Sequence, residues 1–258
     1  MQRPLEHIQH IPHFHLIRLV ESRLLSHYLG SASSPFLDLG CGDGEFARSL
    51  GLRRLYGIDI DDAALCRLHK DGYYTESLKA KASAIPYPDE FFGTVFSNCA
   101  IEHMDDLNKV LSEVRRVLTK GGDFVFTVPK PEFFDVVKKD KALFRAGLTT
   151  EEVIAEYNRI HHHVNIFSLV EWSSILSKAG FEVSSQSSYL PGSFGRFVAR
   201  MDVLYSFEKP DTKNMIHNLE KQYNSAKGTF FRWRVKQYLK NPQGVHSGTH
   251  LIIKSYKL

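Results

Sequence analysis

The chain has 258 residues, 43% hydrophobic and 24% charged, the make-up of an ordinary folded globular protein, and its length fits one large α/β domain with additions. A net charge of +4 is too small to imply nucleic-acid binding, and no apolar stretch is long enough to span a bilayer. Three cysteines without CxxC spacing, and a start at Met1–His7 with no apolar leader run, lead to the expectation of a cytoplasmic protein.

Taken in order, residues 1–34 read as a cap over the sheet. Leu16, Leu19, Val20, Leu24 and Tyr28 recur at helical spacing and predict a helix over 15–29. His7, His10, His13 and His15 share no helix face because Pro12 intervenes, so no metal site is expected. Phe36-Leu37-Asp38-Leu39 followed by Gly40-Cys41-Gly42-Asp43-Gly44 reads as a buried strand, a tight glycine turn and a helix start. Leu55 to Asp61 is a second short apolar strand ending in acids, and Asp59 lies about twenty residues past the turn, the distance at which a carboxylate reaches ribose hydroxyls.

Strands are predicted near 35–39, 54–58, 79–83, 93–98 and 123–128, with helices at 43–50, 61–70 and 107–118. This alternation implies a parallel sheet covered on both faces. Asp105 or Asp106 is expected to cap the 107–118 helix and Gly121-Gly122 to stop it. Residues 131–142 read as a charged connector. Thr149 with Glu152, and Ser168 with Glu171, form two capping boxes, the first opening a helix to about Ile160 and the second a helix to Gly180. His161-His162-His163 between them could be a substrate-side base or a ligand set, but adjacent residues point in different directions, so the run reads as a solvated helix end. A strand over 181–188 completes the 35–190 core, and the last strand falls at 249–256 within a closing segment 248–258.

The stretch 191–247 between these two strands has basic residues interleaved with aromatics, such as Arg196, Phe197, Arg200, Tyr205, Arg232 and Trp233. Three readings stand side by side. It can be a helical lid over a pocket, a peripheral membrane or lipid contact, or an RNA contact.

The glycine turn has Glu45 where a dinucleotide fingerprint would place its third glycine. Instead, the blocks Leu37–Gly44, Gly57–Ile60, Ala82–Asp89, Ser97–Met104 and Glu113–Gly122, in this order, resemble the class I S-adenosylmethionine (SAM)-dependent methyltransferases of the type 11 kind. The resemblance covers residues 35–130, more weakly to 190. It implies a Rossmann-like three-layer sandwich with a seven-stranded sheet of order 3-2-1-4-5-7-6, the last strand antiparallel. It also implies SAM as cofactor and S-adenosylhomocysteine as product.

Residue roles follow from that resemblance. Backbone at Gly40, Cys41 and Gly42 would pass the methionine portion of SAM. Asp38 would order the turn through backbone N–H groups or meet the ammonium, with a purely structural turn acid as the alternative. Asp59 would hold the ribose and Ile60 the adenine face. Lys81 stands where the family often has an acid near the adenine amino group, leaving that task to the Ala82 N–H and Ser83. Asn98 and Cys99 would face the reacting centre, and Arg18 (or His15) the SAM carboxylate. His103 is the candidate base, because an unperturbed imidazole titrates near neutrality; shaping the pocket is its other reading. His163 and Phe167 lie where such enzymes often build the acceptor pocket. The expected function is methyl transfer to a small molecule or lipid. The alternatives are a non-catalytic SAM-binding or regulatory protein, an RNA or protein methyltransferase, and, more distantly, a dehydrogenase.

Overall fold

The computed structural model describes residues 12–69, 72–207 and 248–258, with short pieces at 213–218, 221, 233, 237–238 and 240. Its centre is β1 (Phe36–Leu39), four residues that are all buried. A strand buried on both faces needs a partner on each edge and a layer on each side. β1 pairs in parallel with β2 (Leu55–Asp59) and β4 (Phe92–Asn98). β3 (Glu76–Lys79) and β5 (Leu118–Pro129) extend the sheet in parallel. β7 (His250–Lys257) inserts antiparallel between β5 and β6 (Phe181–Tyr189). The order is β3-β2-β1-β4-β5-β7-β6, the arrangement expected from the sequence.

Alternation along the strands divides the core in two. Leu37 and Leu39 face one side with Phe124 and Phe126, against α4 (Leu107–Val117) and α8 (Leu169–Lys178). α4 supplies Val110, Leu111, Val114 and Val117, a stripe at helical spacing. Phe36, Phe96 and Val125 point the other way, against Val20, Leu24 and Leu25 of α1 (Pro12–Tyr28). Burying each such side chain contributes about 1.5–3 kcal/mol. A third cluster lies beyond the carboxyl edge, where α9 (Gly192–Ser206) packs on α5 (Glu132–Lys138), α6 (Lys141–Arg145) and α7 (Glu151–Ile160).

Several expectations need correction. β3 lies at Glu76–Lys79 rather than 79–83; Ala82 and Ser83 sit in the following turn, closed by the Ala84 N–H on the Lys81 carbonyl at 2.9 Å. As an edge strand with polar residues, β3 carries little of the apolar signal that marks β1. α2 is only Glu45–Arg48, and α3 is Asp62–Leu68. Thr150, not Thr149, caps α7, while the Ser168–Glu171 capping box forms as expected. Asp106 caps α4, which ends at Val117 without help from the glycines. Gly121-Gly122 lie inside β5, where its register on β4 jumps and Gly121 takes φ +72°. The 131–142 connector contains α5 and most of its length is helical. Within the 191–247 insertion, α9 is a helix; much of the rest, including Arg232, lies outside the described residues, as do His7 and His10. No helix of the described residues is long and apolar enough to cross a membrane.

Candidate active site

The glycine turn leaves β1 at the carboxyl edge of the sheet, where strand order reverses between β1 and β4. The Gly40 and Cys41 N–H groups donate to the Ile58 carbonyl at 2.9 and 3.1 Å, tying the turn to β2. The Gly42 N–H donates to Asp59 Oδ2 at 2.7 Å, and Asp59 Oδ1 accepts from the Asp61 N–H at 2.9 Å. A carboxylate has about four lone-pair directions, so two remain for hydroxyls. Gly42 has φ +52°, and a Cβ built there would meet nothing within 4 Å. The open side of the turn is therefore bare backbone beside a carboxylate, and it fits the ribose and amino-acid ends of SAM. Ile60, 67% exposed, offers an apolar face next to Asp59, and the Ala82-Ser83 turn stands half-buried after β3.

Asp38 does not order the turn as expected; the carboxylate that receives a turn N–H is Asp59. Asp38 is buried under the turn and accepts from the Tyr74 hydroxyl at 2.6 Å. Burial pushes its carboxyl up to about 7, the Tyr74 bond opposing and the Asp59 charge adding to the shift. The Tyr74 ring fills the space where a Cβ on Gly44 or Gly57 would sit, at 2.7 and 2.8 Å. Cys41 also packs against Gly57, as a small buried residue.

At the end of β4 the chain turns sharply through Cys99, φ +47°. Gly40 faces this turn so closely that its Cβ would lie 2.6 Å from that of Ala100. Asn98 and Cys99 converge on Glu21 of α1, a fully buried carboxylate. It accepts from Asn98 Nδ2 (3.0 Å), Cys99 Sγ (3.0 Å), the Tyr189 hydroxyl (2.9 Å) and Arg18 Nη1 (2.6 Å). Burial pushes Glu21 up, but the Arg18 charge and these hydrogen bonds hold it below the usual carboxylate range. Arg18 also lies over the Phe46 ring at 5.7 Å.

Beyond Cys99 lies a chamber of about 120 Å³, whose lining includes Arg18, Glu102, His103, His163 and Phe133. Its far wall hangs on backbone pairing: the Val164 and Asn165 N–H groups donate to the Glu102 carbonyl, and Asn165 Nδ2 to the Ile101 and Met104 carbonyls. This pairing stacks His163 on His103, ring centroids 5.0 Å apart. His161 stacks on His163 at 5.4 Å and bonds Ser206 of α9 at 2.7 Å. The solvated-end reading therefore holds for His162, which is exposed, and fails for His161 and His163, which line the chamber. Burial lowers the basicity of His103 and takes His163 down to about 3 and His250 to about 4. Burial pushes Glu102 up to about 8. A larger groove of about 1320 Å³ lies at the opposite, amino edge, between the ends of α4 and α8, and contains none of these groups.

Glu21, Tyr74, Glu102 and His250 were not among the expected site residues. For Glu21 a signal exists: it is an acid inside the apolar stripe of α1, between Ile17 and Leu25.

Residues 37–126 match the family described as "Methyltransferase domain". This part of the chain is similar to the class I, SAM-dependent methyltransferases. The chain is 36% identical over 104 residues to a malonyl-[acyl-carrier protein] O-methyltransferase of Halorhodospira halophila, covering 37% of this chain and 35% of that protein. It is 34% identical over 116 residues to a sarcosine/dimethylglycine N-methyltransferase of Halorhodospira halochloris, covering 41% of this chain and 40% of the other. The aligned parts thus span well under half of these relatives. Among solved structures, geranyl diphosphate C-methyltransferase from Streptomyces coelicolor, in complex with Mg2+, geranyl diphosphate and S-adenosylhomocysteine, superposes with a TM-score of 0.59. It has 17% identity and covers 95% of this chain and 79% of that one, a likeness of fold.

Proposed function

We propose that this methyltransferase domain binds SAM at the glycine turn and transfers its methyl group to a small molecule held in the chamber beyond Cys99. The observation that carries the reading is the pairing of Asp59 with the bare Gly42 backbone at the strand-order switch. Asp59 would hold the ribose hydroxyls, contributing about 1.5–3 kcal/mol as hydrogen bonds to a charged group do. Ile60, Ala82 and Ser83 would flank the adenine. Gly40, Cys41 and Gly42 would run along the methionine portion, with Asp38 beneath them. Arg18 stands at the chamber side, where its charge, shared with Glu21, can meet a carboxylate; Asn98 and Cys99 form the neck between the two spaces.

SAM carries a methyl already activated on a sulfonium, so the protein's task is alignment. Holding the two reactants in line can supply on the order of 7–11 kcal/mol of the barrier. His103, kept neutral by burial, is placed on the lining to accept a proton where the acceptor arrives protonated. α9 walls the chamber through Asp202 and rests on α1 and α5, which supports the lid reading of the insertion over a membrane or RNA role. Three free thiols support a reducing, cytoplasmic setting.

Calorimetric titration tests the cofactor. SAM and S-adenosylhomocysteine should bind the wild type and NAD should not, with Asp59→Ala weakening both by roughly 10–100-fold at about 1.4 kcal/mol per tenfold. A well-folded wild type that ignores SAM would remove the proposal. S-adenosylhomocysteine formation with an acceptor separates an enzyme from a protein that only binds SAM.

A further inference from the structure

We propose that the chamber beyond Cys99 takes a protonated amine, whose charge ionises the buried Glu102 carboxyl as it binds, that proton leaving to solvent, with the rings of Phe133, Phe134 and Tyr157 as the wall beside it. The inference rests on the methyl-transfer reading above and names the acceptor class.

Glu102 lines the chamber yet is only 2% exposed, and its Oε2 has no hydrogen-bond partner. Its Oε1 stands 3.9 Å from His103 Nε2, beyond hydrogen-bond length. Its backbone is fixed by the Val164 and Asn165 N–H groups on its own carbonyl. A buried carboxyl left in this state calls for a donor from a ligand.

The remaining charges decide what kind of donor. Among the lining residues Arg18 is the one Arg or Lys; its Nη1 bonds Glu21 at 2.6 Å, and its remaining donors are the ones assigned above to the carboxylate of SAM. The imidazoles of His103, His163 and His250 are held neutral by burial. Asp202, the second acid on the lining, accepts the Tyr157 hydroxyl. Among the described residues, a carboxylate or phosphate acceptor would therefore lie beside two acids, with Arg18 already shared between Glu21 and the cofactor and His161 bonded to Ser206. An ammonium gains the Glu102 charge beside an aromatic wall.

The same geometry accounts for the protons. An ammonium has no lone pair, so it must first give one proton to the neutral His103 imidazole. The freed nitrogen lone pair then forms the N–CH3 bond as the S–CH3 bond breaks, and that electron pair stays on sulfur, leaving a neutral thioether. The methylated ammonium again pairs with Glu102.

The test uses three probes with one phenyl ring and a short methylene spacer but different heads: 2-phenylethylamine, 2-phenylethanol and phenylacetate. Each is titrated by calorimetry into the protein saturated with S-adenosylhomocysteine. The amine should bind at least tenfold tighter than the other two. Glu102→Gln should abolish that preference while binding S-adenosylhomocysteine as the wild type does. Tighter or equal binding of phenylacetate, no amine binding at millimolar concentration, or an unchanged preference in Glu102→Gln would overturn the amine assignment. The head-group comparison in wild type stands even if the variant does not fold. Failure of the wild type to bind S-adenosylhomocysteine would instead remove the underlying methyl-transfer reading.

Discussion

Glu21 concentrates more of the site's polar bonding than any residue named from the glycine motif. Four donors from α1, β4 and β6 meet on one buried carboxylate, so the cofactor edge, the chamber and the cap helix share a single hub. Removing one side of such a buried pair leaves the other charge uncompensated and costs about 3–5 kcal/mol. Glu21→Ala should lower the unfolding free energy obtained from urea titration by that amount, and an unchanged midpoint would mean that water replaces the carboxylate at no cost. Gly42 tests the opposite kind of residue. Its Cβ meets no protein atom, so Gly42→Ala should cost only the about 1–2 kcal/mol of left-handed backbone. SAM affinity should nevertheless fall sharply by calorimetry, because the methyl projects into the open space proposed to take SAM. At this scale Asp59 and the glycines were legible because a motif of fixed spacing carries them. Tyr74 was not, since its role depends on lying under Gly44 and Gly57 in three dimensions.

Elements obeyed local chemistry where the signal is contiguous. The Ser168–Glu171 box caps α8 on both its side-chain and backbone bonds. Ser168→Ala should cost about 1 kcal/mol, a fall of about 2–4 °C in Tm by thermal unfolding. Strands buried on both faces, β1 above all, were equally plain. Misreadings gather where tertiary contacts set the boundary. β3 is an edge strand paired only with β2, and α5 follows Pro129 in a stretch that reads as charged connector until Phe133 and Val137 are seen packed on α9. The histidine run illustrates the same point: three adjacent residues, of which two turn inward because the strap after α7 pairs with the Glu102 carbonyl.

Across the whole molecule, buried acids set the response to pH. Asp38, beside Tyr74, Asp59 and Cys41, is raised to about 7, and Glu102 to about 8. For both, the unfolded chain releases its proton at lower pH than the folded one, so rising pH favours unfolding. Stability of the cofactor-free protein should therefore fall between about pH 6.5 and pH 8 and then level off, because below about pH 6.5 the imidazoles of His103, His163 and His250, lowered by burial, act in the opposite direction and offset the acids. In urea unfolding across a pH series, Asp38→Asn should remove its share of the slope up to about pH 7 and Glu102→Gln its share up to about pH 8, so that the limb between about pH 7 and pH 8 responds mainly to Glu102. Glu21 acts in the other direction: its lowered pKa adds stability that is lost only as acid protonates it.

The amino-acid order alone determined the sheet, its strand order by resemblance, and the cofactor cleft, because strand periodicity, glycine turns and the acid twenty residues on are written in neighbouring residues. Tertiary structure decided the chamber. Arg18 comes from α1, Glu102 from the turn after β4, His163 from the strap after α7, Asp202 from α9 and His250 from β7. Only folding α9 and the segment after α7 over the carboxyl edge of the sheet, beside α1, brings such distant residues within reach of one another, and no local pattern encodes that meeting.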